Sequence, residues 1–452
     1  MPRPDHAEHL STPARRAARF AGRAAAVFAV ALAALFLLLL EAFALPGGPV
    51  RANIARSVPL LQQEGLYPEL FGFKLFQMDN YTDTIMLFEA AAADEADPLT
   101  AMMTAAAYNV DNFETLPDDL QTYLDARDRG LAGADTGLEP FSYARYWHGY
   151  LIWLRPLLLV LTYGQVRVVN YIVFFALAGA LLWRLWKVCG RWPAVWFAVS
   201  QLAVSAFFAP RQVQFFTCFA IGYAACLWVL AKPRAAGTLA VGLVAVGVCT
   251  SFLDLLVTPI LALGLPLTVW LLDPRVPGSR APLRRCGAVA GGAVCWGAGY
   301  ALCWASKWVL AGLVTGQDIV GDALHQAAVR TSADTWHGME LTWGNIFRFV
   351  YDTLNSRGLF WPLIAAALAC AALFALCLRS RQALCAALPL LLAALSAPAW
   401  LALLRTHSIQ HGWFTWRSLG VTVFAGLAFV HQACSLSAAR QRIRRLGRGR
   451  RA

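Results

Sequence analysis

The residues able to do chemistry fall into short clusters. The first is Gln77-Met78-Asp79-Asn80-Tyr81-Thr82-Asp83. Two carboxylates four residues apart share one face if the segment is helical. A carboxylate there can serve as general base toward a sugar hydroxyl. Asp83 or Thr82 alternatively caps the helix that follows. Capping does not call for a second acid, so Asp79 is the harder one to explain structurally. The second cluster is Tyr143-Ala144-Arg145-Tyr146-Trp147-His148-Gly149-Tyr150. An aromatic belt at headgroup level accounts for its Tyr and Trp residues, but less well for Arg145 and His148. The Arg145 guanidinium suits a phosphate.

The third cluster runs from Arg405 to Arg417 and contains His407, His411, Trp413 and Trp416. Two histidines at i and i+4 have the spacing of a metal pair on a helix, but no third ligand is near, so no metal or other cofactor is expected. Two arginines and two histidines beside tryptophan suit a lipid phosphate or pyrophosphate; interfacial anchoring is the alternative. Lys307 stands late in an apolar run, where it either snorkels to the interface or meets an anionic headgroup from inside the bundle. Asp254, before Thr258-Pro259, reads as a polar turn. The segment 315–358 reads mostly as solvated loop (Asp318, Asp322, Thr331, Ser332, Asp334, His337), with His325 and Arg330 as outside candidates.

The elements that must position these groups follow from composition. The 452 residues are 59% apolar and only 14% charged, well below the roughly 25% charged of soluble domains. Mean hydropathy is +0.53. The class is an all-α polytopic membrane protein, one membrane-embedded unit over residues 1–452. Net charge is +12, but 16 of the 26 acidic residues lie between 46 and 146, while arginines collect at the termini and in short loops. That pattern is topological and argues against nucleic-acid binding. The eleven cysteines fall mostly in or beside apolar runs, without metal spacing, and read as small buried hydrophobes.

The first apolar run, residues 20–45, follows Arg15, Arg16, Arg19 and Arg23. Ala42-Phe43-Ala44 resembles a signal-peptidase site, but the run is too long for a signal h-region and long enough to span; a retained helix is the reading. Residues 46–165 are expected to form a large, partly helical extracytoplasmic loop ending in an interfacial helix interrupted by Arg155-Pro156. Further spans are expected near 166–187, 193–209, 213–231, 236–252, 255–272, 287–314, 359–378, 383–404 and 414–434, about ten in all within a bundle over 166–434. Each loop then assigned to the cytoplasm is basic (Arg184/Lys187/Arg191, Lys232/Arg234, Arg275/Arg280/Arg284/Arg285, Arg379/Arg381), as is the tail 435–452 with Arg440, Arg442, Arg444, Arg445, Arg448, Arg450 and Arg451. Both termini are thus expected in the cytoplasm of a multi-pass cell-membrane protein. The polar clusters gather at the extracytoplasmic face.

This layout resembles the GT-C superfamily of integral-membrane glycosyltransferases, particularly bacterial envelope-polysaccharide members. The resemblance is carried by the large first outer loop, by Asp79-Asn80-Tyr81-Thr82-Asp83 near its start, and by the stretches Tyr143–Tyr150 and His407–Arg417. It implies a polyprenyl-phosphate sugar donor, an envelope glycan or glycopolymer acceptor, surrounding membrane lipids, and Asp79 or Asp83 as general base. It further implies substrate binding by Asn80, Arg145, His148, Lys307, Arg405, His407, His411 and Arg417. This chain departs from some relatives in having no large soluble domain after its last span.

A lipid-linked sugar flippase or other transporter is the main rival. It would carry ionisable groups through the bilayer, and the expected spans are nearly free of acids. An acyltransferase would want a catalytic histidine such as His148 or His407 and a cytosolic thioester donor. A scaffold would leave the charge clustering unexplained.

Overall fold

Lipid offers no partner for backbone N–H and C=O groups, so apolar segments of this length fold as helices. In the computed structural model, which describes residues 13–276, 281–332 and 334–449, helices dominate and strands are confined to short ribbons. Arg280, Arg450 and Arg451 fall outside the described residues. Among these residues, eight helical segments are long and apolar enough to cross a membrane: Pro13–Ala44, Tyr163–Cys189, Val213–Ala231, Ala236–Leu253, Pro282–Thr315, Phe360–Cys377, Arg381–Leu403 and Gly412–Ala433. Two of the ten expected spans come out shorter, as Arg191–Ala203 and Leu261–Leu272. The first stops where Ser205 turns left-handed, with Pro210 in the 3-10 turn that follows. The second starts late because Leu256 is left-handed and Asp254 caps the Val257 N–H at 3.0 Å. Each device spends residues on a turn that a helix would otherwise use.

The first loop is a helical subdomain with an apolar core of its own. Helix Asn80–Ala92 runs through its centre, and every residue from Asp83 to Ala92 is buried. Around it pack Gly47–Ala55, Leu116–Asp128 and Leu151–Leu158, with a ribbon pairing Ala106–Tyr108 against Pro140–Ser142. Phe88, Tyr108 and Tyr123 form a ring cluster in that core.

The interruption at Arg155-Pro156 has a structural reason. Arg155 is fully buried and donates to the carbonyls of Phe43 and Leu45 at 2.9 and 3.0 Å. It therefore satisfies the orphan carbonyls where the first long helix ends. The next span starts at a capping box, Thr162 with Gln165, which sets the border between loop and bundle.

Two spans touch backbone to backbone. A Cβ on Gly247 would collide with the Trp296 carbonyl, and one on Gly299 with the Val244 carbonyl. Gly247→Leu is expected to cost about 3 kcal/mol or more through overpacking, read as a lower melting temperature and a smaller monodisperse yield in detergent.

Basic side chains bind helix ends near one another. Arg184 and Arg275 both donate to the Leu230 carbonyl. Trp192 contacts His431, and Arg379 donates to the carbonyls of His431 and Cys434. Arg442 donates to the Ala375 and Leu376 carbonyls.

Candidate functional site

The chain turns helical at Asn80, which leaves the Thr82 N–H without an intrahelical acceptor. Asp79 takes it, its Oδ1 accepting at 2.9 Å. The cap is therefore Asp79, where the sequence pointed to Asp83 or Thr82. Capping folds the Asp79 carboxylate back over the first turn, so the two acids do not act as a pair on one face. Asp83 sits one turn deeper and is fully buried. It accepts from the Tyr163 hydroxyl and from the Val213 N–H, and its Oδ1 has no partner. Burial pushes its pKa up to about 7, against the lowering effect of the Tyr163 hydrogen bond. Burial likewise raises Asp79 above the ordinary carboxylate range.

Between the acids, Asn80 belongs to a buried polar network. Its Oδ1 accepts from Arg167 at 3.0 Å, and its amide donates to the Gly65 carbonyl at 2.7 Å and to Glu64 at 3.1 Å. Glu64 holds Arg167 and Arg211, each at 2.8 Å. This network fixes the start of the Asp79 helix to the spans that begin at Tyr163 and Val213. Gln214, from the second of these, reaches the Asp79 carbonyl oxygen at 3.4 Å.

An aromatic path leads away from Asp79. Tyr67, raised by burial and by the nearby Asp79 charge, stacks on Tyr81 and meets Trp413 edge-on. Trp413 contacts His411, whose ring lies 4.7 Å from that of His407. His407 Nε2 bonds the Leu256 carbonyl at 2.9 Å, while Nδ1 of both rings is buried without a partner. Burial lowers both imidazoles, His411 to about 4, and the Arg330 charge adds to the effect. Arg330 lies over the Tyr146 ring at 5.8 Å. Beside it opens a cavity of about 90 Å³ lined by Arg145, Tyr146, Trp304, Trp308, Arg330 and Trp400, among others.

No protein-family model, curated protein or solved structure matches this chain.

The remaining sequence candidates divide by what they touch. Arg145 stands at the cavity wall, paired with Asp322 at 3.1 Å and lying over Tyr143. His148 is buried in a left-handed backbone conformation, its ring bridging the Tyr143 carbonyl, Tyr150 and Glu89. Trp147 and Tyr150 are also fully buried, so they are core rather than belt. Lys307 does not snorkel. It is fully buried and donates to the Met102 and Met103 carbonyls at 2.8 and 3.2 Å, near the end of helix Pro98–Thr104. Arg405 donates to the Ser332 carbonyl and lies over Trp343. Arg417 donates to the Trp413 carbonyl and lies over Phe215. Among the described residues, no group of three or more His, Cys, Asp or Glu is placed to hold a metal ion.

Sequence reasoning passed over Glu64, Glu89, Arg167 and Arg211. The available signals were Arg167 just inside an expected span and Glu89 amid an apolar helix, both expensive unless paired.

Proposed function

We propose that this protein is a membrane glycosyltransferase that moves a sugar from a polyprenyl-phosphate donor to an envelope glycan or glycopolymer on the extracytoplasmic side. The observation that carries the reading is Asp79. It is a buried carboxylate of raised basicity, held at a helix start by a network spanning four elements and joined by aromatic rings to the buried His407–His411 pair. The grouping of basic side chains at the ends near Leu230 and Cys434 supports placing that end in the cytoplasm.

In this reading Asp79 accepts the proton of the acceptor hydroxyl. The hydroxyl oxygen forms a bond to the anomeric carbon. The bond from that carbon to the phosphate oxygen breaks, and polyprenyl phosphate leaves with the electron pair. A phosphate monoester is a stable anion, so the leaving group needs positive charge rather than an acid.

A general base works only when deprotonated. Because burial raises Asp79, the acid limb of kcat/KM is expected to fall at a pH above the ordinary carboxylate value of about 3.9. Activity should rise as pH increases through that limb. An acid limb at or below the ordinary value would remove the raised base from the mechanism.

The decisive experiment compares the sugars of purified envelope polymers from cells with the intact gene, a deletion and an Asp79→Asn chromosomal variant at equal protein level. Loss of one sugar substituent in both altered strains is expected. Loss in the deletion alone would move the base elsewhere or favour a flippase, and no change in either would overturn the reading.

A further inference from the structure

We propose that the end of the molecule opposite the Asp79 site binds an anionic glycerophospholipid, with its acyl chains in the groove between the segments Phe360–Cys377 and Gly412–Ala433 and its phosphate on Arg379, Arg442 and the basic helix Leu436–Gly449. The inference does not depend on the sugar-transfer reading. The segment Gly412–Ala433 sets the two ends apart. It begins beside Trp413, which meets Tyr67, and finishes at Ala433, whose carbonyl accepts from the Arg379 N–H.

The first observation is the groove. Helix Phe360–Cys377 has no buried residue and makes its main contacts with helices Trp343–Ser356 and Leu436–Gly449 rather than with the bundle. It is tethered at its end, where the Arg379 N–H meets the Ala433 carbonyl at 2.9 Å and the Ser435 N–H meets the Cys377 carbonyl at 2.8 Å. Beside that tether lies a cavity of about 950 Å³, walled by Leu373 and Phe374 on one segment and by Leu427 and Val430 on the other. Such walls suit hydrocarbon chains.

The second observation is charge. No Asp or Glu occurs after Asp352, while the helix Leu436–Gly449 alone carries five arginines. Among the described residues, Arg379, Arg440, Arg442 and Arg444 have no carboxylate partner; Asp273, an acid at this end, is held by Arg275 at 2.8 Å. Arg379 donates to the His431 and Cys434 carbonyls, and Arg442 to those of Ala375 and Leu376. These carbonyls close two helices, and a helix C-terminus supplies only about −0.5 charge. The positive charge is therefore left largely uncompensated. A phosphodiester supplies a full negative charge and oxygens that accept from guanidinium. A second copy of this chain, paired about a two-fold axis through the same face, would instead set arginines against arginines.

The third observation is depth. Trp192 and Trp196 stack on each other, both contact His431, and Trp196 also lines the cavity. Tryptophan marks the headgroup level of a bilayer. Arg379, bonded to the His431 carbonyl, thus stands at phosphate depth with the apolar cavity beside it. On the basic helix Leu436 and Ile443 lie seven residues apart on one face and are 73% and 56% exposed, with Arg440 and Arg444 exposed alongside. An apolar stripe flanked by arginines is how a helix lies on an anionic membrane surface.

The test is native mass spectrometry of the full-length protein from micelles holding equal amounts of dioleoyl phosphatidylglycerol and dioleoyl phosphatidylcholine. The chains are the same, so a difference reads the headgroup. Phosphatidylglycerol should be retained at least about tenfold over phosphatidylcholine. An arginine near an anionic surface contributes about fivefold, so the double variant Arg440→Gln, Arg444→Gln should cut the preference at least about tenfold. Both side chains are exposed, so its melting temperature should not move. Arg379→Gln with Arg442→Gln should cut the preference as much, and should also melt lower because helix-end carbonyls lose their donors. Val430→Trp, which fills the cavity, should lower phosphatidylglycerol retention with every arginine in place. An unchanged preference in both arginine pairs would overturn the proposal. Unchanged retention in Val430→Trp would overturn the groove as the seat of the chains. A two-chain species that retains no phosphatidylglycerol and is lost in Val430→Trp would make a second copy the occupant and overturn the lipid.

Discussion

Asp79→Asn is expected to lower sugar transfer about 10²–10⁴-fold while the protein folds and melts almost as before. The substitution separates chemistry from structure because of where Asp79 sits. Its Oδ1 caps the Thr82 N–H, and asparagine caps about as well as aspartate. The helix start, the Glu64–Asn80–Arg167 network and the tyrosines around it should therefore stay in place. Only the ability to take a proton is removed. Asp79→Ala should show the same loss of transfer with a further cost of about 1 kcal/mol from the missing cap. Asp83 should behave in the opposite way. It is sealed between Tyr163 and Val213, so Asp83→Ala should destabilise by about 1–3 kcal/mol, with transfer per folded molecule largely kept. The measurement is incorporation of labelled sugar from a lipid-linked donor by membranes matched for folded protein, together with melting curves. Transfer retained in Asp79→Asn and lost in Asp83→Asn would exchange the two roles.

Glu64→Ala should destabilise by about 3–5 kcal/mol, the range for breaking a buried pair by removing one partner. Glu64 accepts from both Arg167 and Arg211. The Arg211 side chain is 34% exposed and can return to water, but Arg167 is 7% exposed and cannot. The double variant Glu64→Leu, Arg167→Met should recover part of the loss, because apolar side chains can replace a buried pair without stranding a charge. Melting of the purified protein in one detergent checks both. The loss should reach function as well, because Arg167 and Glu64 orient Asn80, which adjoins Asp79. A Glu64→Ala melting curve indistinguishable from wild type would show that solvent already screens this network.

Much of the architecture is legible in the sequence. Long apolar runs have to be helices in lipid, and that argument places the spans beginning near Tyr163, Val213 and Pro282 without tertiary information. The central helix of the first loop was visible from Thr82 onward and begins two residues earlier, at Asn80. Hydropathy misjudged length at Arg191–Ala203 and Leu261–Leu272. A left-handed residue such as Ser205 or Leu256 leaves no mark in an apolar average.

The candidate site was legible as a set of residue types and not as a set of roles. Lys307, Arg405 and Arg417 read alike in sequence as cations near an interface. Their roles depend on which backbone carbonyl lies within reach. Lys307 finds its acceptors 204 and 205 residues away in the chain, and Glu64 finds Arg167 at a separation of 103. The sequence by itself determined the membrane class, the helical periodicity and the gathering of polar clusters outside the spans, because hydropathy and local spacing act over one or two turns. Only the tertiary structure decided that Asp79 caps while Asp83 is sealed, and that Lys307 binds the Met102 and Met103 carbonyls, because burial and pairing are set by distant segments meeting in space.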